Sequence, residues 1–507
     1  MSRQHTNWRE PSFTGLIGVA RRDVTPPKGI YARSWGAAEH DVAAGVHRPL
    51  LCTVLTLRAE GREDKPLVLA AIDAGWFRGP EGAEAICGRV RRELGLPDAA
   101  FMLALSHTHA GPSVSPAESD KPGGGMIAAY VDGIGATIVE AAREAVRGEQ
   151  PAVLTLGTGR CAVASERDLP DPAAGRFVCG FNPGAPADDV CLVGRVARVS
   201  DGAVVATIVN YACHPTTLAW ENRLISPDFV GAMRETVERG TGGAPCLFLQ
   251  GASGELAPRQ QYCGDTAVAD AHGRSLGYAA LSVIEEMLPP NRGLKLEGVV
   301  ESGAPLAVWR PCPVEAKRLI GANRFEVDVP LKNTLRREEH IAADLCASTD
   351  RAARERLHRE LLVLRTVGSG MVSHRPMWMW KVGDVLLLGQ SDEAYSQLQR
   401  DVRAAFPEFA VVVMNVVNGW GGYLCPSGHY ERQLYQVQQS PYAKGCLEAV
   451  IAGSIGGLRD LIFKAELKPS EHLAAGRESA EEPDRAGNLQ RETRSFKTAS
   501  GKPERCG

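Results

Sequence analysis

The sequence predicts an α/β fold, a large mixed β-sheet core flanked by helices. Three observations predict it. Short apolar runs alternate along the chain with longer stretches of helical periodicity, the pattern of strands interleaved with helices. The runs are bounded by Gly, Pro and Asp, which punctuate strands and helices alike. Finally, His107, His109, His214, the glycine-rich loop after Gln250, and Tyr423 each follow an apolar run. In sheets of this class, sites collect beyond the carboxyl ends of strands.

Taken in order, Leu67–Ile72 predicts a strand and Glu81–Leu96 a helix ending near Gly95. Phe101-Met102-Leu103-Ala104-Leu105, set between Pro97-Asp98 and Gly111-Pro112, predicts a buried strand. Ile127–Val146 predicts a long amphipathic helix closed by Gly148 and Pro151. Ala203–Tyr211 predicts a strand running into Ala212-Cys213-His214-Pro215-Thr216-Thr217, and Asp228–Arg239 a helix. Cys246–Gln250 predicts a strand running into Gly251-Ala252-Ser253-Gly254-Glu255-Leu256-Ala257-Pro258. Val268–Met287 predicts a helix, with Gly273 and Gly277 weakening it. Leu335–Val367 predicts one long charged helical stretch with a solvated face, and Met377–Leu388 a hairpin turning at Gly383-Asp384. Ala410–Val417 predicts a strand running into Asn418-Gly419-Trp420-Gly421-Gly422-Tyr423. From about Lys464 the chain is polar with almost no aliphatics; it cannot bury enough surface to offset its ordering entropy, which predicts a disordered tail. No internal repeat is present.

A length of 507 residues suits one large domain or about two to three ordinary ones. Lys+Arg 57 against Asp+Glu 60 leaves a net charge of -3, so neither a nucleic-acid partner nor an anionic membrane is expected. Met1–Trp8 lacks the apolar core of a secretory signal. No uninterrupted apolar stretch approaches the ~20 residues of a membrane span, so no transmembrane segment is expected. Thirteen cysteines without CxxC pairs favour reduced thiols and a cytoplasmic chain. Cys213 precedes His214, but neighbours on a strand face opposite sides, so packing is its expected role.

Ser106-His107-Thr108-His109-Ala110-Gly111-Pro112 is the most chemical segment. Residues two apart on a strand share a face, so His107 and His109 would aim into one pocket, as a metal site or a catalytic pair requires. The competing reading is two polar residues at a strand end, bonded to a loop.

Several blocks together resemble the neutral/alkaline non-lysosomal ceramidase family. Gly18-Val19-Ala20-Arg21-Arg22-Asp23-Val24-Thr25-Pro26-Pro27 resembles its opening, Ser106–Pro112 its first metal block, His214-Pro215-Thr216-Thr217 its second, and Asn418–Tyr423 with Tyr430 its C-terminal block. Ungapped spacing from Val382-Gly383-Asp384 leads to Glu393, where the family has a glutamate; Asp392 is its competitor. The resemblance implies one Zn²⁺ per chain held by His107, His214, Glu393 and Tyr423, N/O ligands suited to that ion. It implies catalytic or positioning roles for His109, beside the zinc, and for Arg167, near the substrate. It also implies a domain over 15–463, with 1–14 an N-terminal extension and 464–507 the tail.

Two departures shape the expected chemistry. The family's loop serine falls at Ala257, within Gly254-Glu255-Leu256-Ala257-Pro258, and Gly251-Ala252-Ser253-Gly254-Glu255 is not a nucleophile elbow because Glu255 stands where glycine is needed. Attack by zinc-bound hydroxide is therefore expected over a covalent acyl-enzyme, with Ser253, Gly254, Glu255 and Ala257 as a substrate loop and Glu255 holding either that loop or a histidine. The second departure is that the immunoglobulin-like domain that ceramidases add at the C-terminus is not expected here. The expected function is hydrolysis of a small linear N-acyl amide. The alternatives are an esterase or lactonase on the same site, or a non-catalytic metal-binding homologue. A homo-oligomer is compatible with the sequence.

Overall fold

The computed structural model describes residues 7–61 and 64–467; residues 1–6, 62, 63 and 468–507 lie outside the described residues, and with them most of the expected tail. The large mixed sheet and its flanking helices are as predicted. Eight strands form it: β1 (Ser12–Asp23), β2 (Leu51–Arg58), β3 (Leu67–Ile72), β4 (Phe101–Leu105), β5 (Gln150–Arg160), β6 (Val190–Arg198), β7 (Val204–Tyr211) and β8 (Cys246–Gln250). Their order is β8-β7-β6-β5-β1-β2-β3-β4. The pairs β7/β8 and β3/β4 are parallel and the others antiparallel. A second sheet holds β9 (Ile320–Pro330), β10 (Val372–Val382), β11 (Val385–Gln390) and β12 (Ala410–Met414) in that order, with β11/β12 parallel.

The main helices are α1 (Pro80–Leu94), α2 (Ile127–Arg147), α3 (Phe229–Gly240), α4 (Thr266–Glu286), α5 (Glu338–Ala347), α6 (Arg351–Val367), α7 (Gln397–Ala405) and α8 (Cys446–Leu467). Strand alternation assigns them to layers. Phe101, Leu103 and Leu105 of β4 face the helical layer with α1 and α2, while Met102 and Ala104 face the second sheet. In the same way Trp378 and Trp380 of β10 enter the sheet–sheet core, while Met377 and Met379 face α7 and α8. Strands covered on both faces read as unbroken apolar runs, which is why β3, β4, β8 and β12 are visible in the sequence.

Helix α4 tolerates two glycines because it crosses α3 at backbone distance. A Cβ on Gly273 would lie 2.3 Å from the Phe229 carbonyl oxygen, and one on Gly277 2.6 Å from Thr236 Cβ. The hairpin turn falls at Gly383 as predicted, with φ of 61° and no room for a side chain against Ser12. Residues Gly124–Arg147, which include α2, are long and apolar enough to cross a membrane by length and composition. Here Val131, Ile134, Ile138 and Val139 of that helix are buried against the large sheet.

Three expectations are corrected. Leu335–Val367 is two helices rather than one, broken at Ser348–Asp350. The Asp350 carboxylate accepts from Ala353 N at 2.7 Å and so starts α6 afresh. Its face is also not wholly solvated, because Ile341, Leu361 and Leu364 pack α5 against α6. The strand predicted to reach Val417 ends at Met414, since Val416 and Asn418 take positive φ. That kink lets Asn418 leave its own sheet and bind β4, its side chain donating to Phe101 O at 3.0 Å and accepting from Leu103 N at 2.7 Å. The third correction concerns the histidine pair: β4 ends at Leu105, so His107 and His109 lie in the loop beyond it, and His107 has φ of 65°.

Candidate metal centre

Each of the three parallel strand pairs within the two large sheets is joined through a helix, α1, α3 or α7, and such crossovers present their carboxyl ends on one side. His107 follows β4, His214 follows β7, the Gly251–Glu255 loop follows β8, Glu393 follows β11, and Tyr423 follows β12. Two short ladders fix the last pieces. Glu393–Ala394 pairs with Tyr423–Leu424, and Leu256–Pro258 pairs with Ala164–Glu166, which brings in Arg167.

All six residues proposed from the sequence meet here. His107 Nδ1 lies 3.1 Å from Gly75 O, and His214 Nδ1 lies 2.7 Å from Ser253 O and 3.2 Å from Leu256 O. A carbonyl only accepts, so each Nδ1 carries the proton and each Nε2 turns a lone pair inward. Facing those lone pairs is Glu393 Oε2, 2.9 Å from His214 Nε2 and 3.4 Å from His107 Nε2. His109 completes a triad whose donor nitrogens all lie within 4.8 Å of one another. The Nε2 atoms of His107 and His109 are buried without a hydrogen-bond partner. Burial lowers His214 to about 4 and His109 well below its ordinary value, so both offer lone pairs at neutral pH.

Lone pairs facing a carboxylate repel unless a cation lies between them. The donor set therefore fits a metal: imidazoles, one carboxylate and a phenol, the hard-to-borderline N/O set of Zn²⁺ sites. Burial, with Glu393 beside it, raises the Tyr423 phenol well above its ordinary value; a cation would reverse that. Arg167 is 4% exposed, and its Nη2 donates to Gly254 O at 2.6 Å and to Tyr423 OH at 3.3 Å. It is not a surface ion pair.

The other sequence candidates are placed as follows. Asp392 faces away, clamped by Arg375 at 2.9 and 3.0 Å and by Tyr442 OH at 2.9 Å. Ser253 Oγ accepts from Gln250 Nε2 at 2.6 Å, and Ala257 is buried in its short strand. Glu255 touches no histidine. Its carboxylate, pushed by burial up to about 7, accepts from Ser396 N at 2.9 Å and also binds Ser396 Oγ, three residues past Glu393. Cys213 is buried, and burial raises its thiol well above the ordinary value, as a packing role requires.

Sequence reasoning missed the aromatic surround. Trp420 Nε1 donates to Glu393 Oε1 at 2.6 Å and aims that carboxylate. The rings of Trp35 and Trp76 lie 5.2 and 4.7 Å from His109. Trp220 stacks on Tyr262 at 5.9 Å, and Tyr435 lies 6.0 Å from Tyr423. Only Trp420 sat inside a block the sequence singled out; the others come from loops or, for Tyr435, from the short helix Tyr435–Gln439, none with a periodicity that marks it.

No protein-family model matches the chain, and a sequence comparison with curated proteins finds no match either. Solved structures do match. The neutral ceramidase from Pseudomonas aeruginosa superposes with a TM-score of 0.61 at 19% identity, over 94% of this chain and 77% of that one. A ceramidase complexed with C2 gives a TM-score of 0.61 at 17% identity, over 89% of this chain and 76% of that one. The chain therefore has the fold of the neutral ceramidases.

Proposed function

We propose that the protein is a zinc-dependent hydrolase of linear N-acyl amides, with one zinc per chain. The observation that carries this reading is the inward lone pairs of His107, His109 and His214 facing Glu393, with two of the three Nε2 atoms buried and unpartnered. His107, His214, Glu393 and Tyr423 would hold the ion. When bound, zinc makes water nucleophilic near neutral pH, with a pKa of about 7, and polarises a carbonyl.

The chain's own residues do the rest. His109, held neutral by burial, takes a proton from the attacking water at Nε2 and returns it to the leaving nitrogen. Arg167 donates to the carbonyl oxygen as negative charge builds there. Trp420 holds Glu393, and Glu255 anchors its segment through Ser396. The water oxygen bonds to the acyl carbon, the carbon–nitrogen bond breaks, and the nitrogen leaves with one proton from water, giving a carboxylic acid and an amine. No acyl-enzyme is needed: Ala257 has no hydroxyl, and Ser253 Oγ is engaged by Gln250. The described cysteines are free thiols, which supports a cytoplasmic setting as part of the same reading.

Metal analysis of the purified chain tests this. Close to one zinc per chain is expected, with amide hydrolysis lost on chelation and restored by zinc. Undiminished hydrolysis by metal-free protein would sink the reading.

A further inference from the structure

The three imidazoles of the centre are not held alike. His107 and His214 are each fixed by a backbone carbonyl at Nδ1. Among the described residues the His109 ring makes no hydrogen bond, and its Nε2 is buried without a partner. Its neighbours are the rings of Trp35, Trp76 and His107, with centroids 5.2, 4.7 and 5.0 Å away. Such contacts confine an imidazole without fixing where its nitrogens point. The aim of His109 is therefore inherited from the backbone of the loop after β4.

On both sides of His109 that backbone is anchored to one residue, Ser226. The Thr108 hydroxyl donates to Ser226 O at 2.7 Å and accepts from Ala110 N at 3.2 Å, and Ser226 N donates to Ala110 O at 2.9 Å. Thr108 and Ser226 are both buried, so water does not readily replace a bond that is lost. Ser226 is itself fixed: its Oγ accepts from Asp228 N at 2.9 Å and lies 2.9 Å from His47 Nδ1. Asp228 has φ of 55°, a conformation that a residue other than glycine keeps only when its surroundings hold it. Its carboxylate supplies the hold, accepting from Phe229 N at 2.6 Å, at the start of α3, and from Leu218 N at 2.9 Å, in the loop after His214. His109 N also donates to Pro215 O at 3.4 Å. One buried turn at 226–228 thus ties the His109 loop to the His214 loop.

We propose that Thr108 is a positioning residue: its hydroxyl, clasped to Ser226, aims the otherwise unheld His109 ring at the leaving nitrogen. This rests on the hydrolase reading. Valine has the branched shape of threonine without the hydroxyl, and serine keeps the hydroxyl without the branch, so two variants separate shape from hydrogen bond.

The test uses the zinc-loaded chain with N-benzylhexanamide and para-nitrophenyl hexanoate, which share an acyl group. Benzylamine must take a proton to leave, whereas para-nitrophenolate leaves without one. Thr108→Val is expected to keep about one zinc per chain and an unchanged KM, and to lower kcat for the amide by about tenfold to a hundredfold. The loss on the ester is expected to be about tenfold smaller, and Thr108→Ser to restore both. Unchanged amide turnover in Thr108→Val, equal losses on the two probes, loss of zinc, or no recovery in Thr108→Ser overturns the proposal and leaves the hydrolase reading standing. The second readout is the proton–carbon NMR spectrum of the histidine rings, in which the His109 signal is the one missing from His109→Gln. Thr108→Val should shift or broaden that signal and Thr108→Ser return it; a signal that stays in place overturns the proposal. If the wild-type chain does not turn over the amide, the amide hydrolase reading fails, and the ring spectrum alone decides the role of Thr108.

Discussion

Replacing His214 by alanine is expected to abolish stoichiometric zinc binding and to slow amide hydrolysis by about a thousandfold or more. The size of the effect follows from how the ring is held. Two backbone carbonyls, of Ser253 and Leu256, fix Nδ1 and aim Nε2 at Glu393 Oε2. Arg167 Nη2, 3.5 Å from that Nε2, cannot take its place, because it carries no lone pair to offer a metal. The variant also leaves buried carbonyls short of a donor, at a cost of about 1–3 kcal/mol, which a chain of this size survives. His109→Ala serves as the contrast. If His109 is the proton carrier, zinc stays and turnover falls by about a hundredfold to ten-thousandfold. Metal content and turnover, measured together on both variants, separate holding the ion from moving the proton. Zinc and activity both retained in His214→Ala would refute the assignment.

Much of this arrangement was legible in the chain. The strands before His107, His214 and Tyr423 are buried on both faces, so their apolar runs mark where each site residue begins. The local geometry was not. His107 and His109 converge through a loop with positive φ at His107, which strand alternation does not describe. The α5–α6 break rests on one carboxylate cap inside a uniformly charged stretch. Trp35 and Trp76 reach the centre through tertiary packing alone, and nothing in their local sequence sets them apart from core aromatics. Glu255 and Ser396, 141 positions apart, meet because the segments after β8 and β11 join, Gly254 N donating to Ala394 O at 2.9 Å. The same limit applied to Asp392 and Glu393. They are adjacent acids after one strand, and what distinguishes them is Arg375, on β10.

That pair sets up the second large effect. Asp392→Ala is expected to destabilise the protein by about 3–5 kcal/mol, read as a lower denaturant midpoint, because it leaves the Arg375 guanidinium buried with its ion-pair partner gone. Arg375 and Asp392 are 6% and 1% exposed at the side chain, and their two hydrogen bonds are joined by one from Tyr442 OH. Ser391 Oγ, 2.6 Å from Arg375 Nη2, offers a dipole in place of a charge and compensates little. Zinc content should stay near one per folded chain, since no Asp392 oxygen faces the centre. Glu393→Gln should behave in the opposite way. The amide keeps the shape of the side chain and an oxygen for Trp420 Nε1, so the denaturant midpoint moves little, but the charge facing His107 and His214 is gone and zinc is lost. Two neighbouring carboxylates would then fail in different assays, one by unfolding and one by losing metal. Loss of zinc from folded Asp392→Ala, or retention of zinc by Glu393→Gln, would reverse their roles.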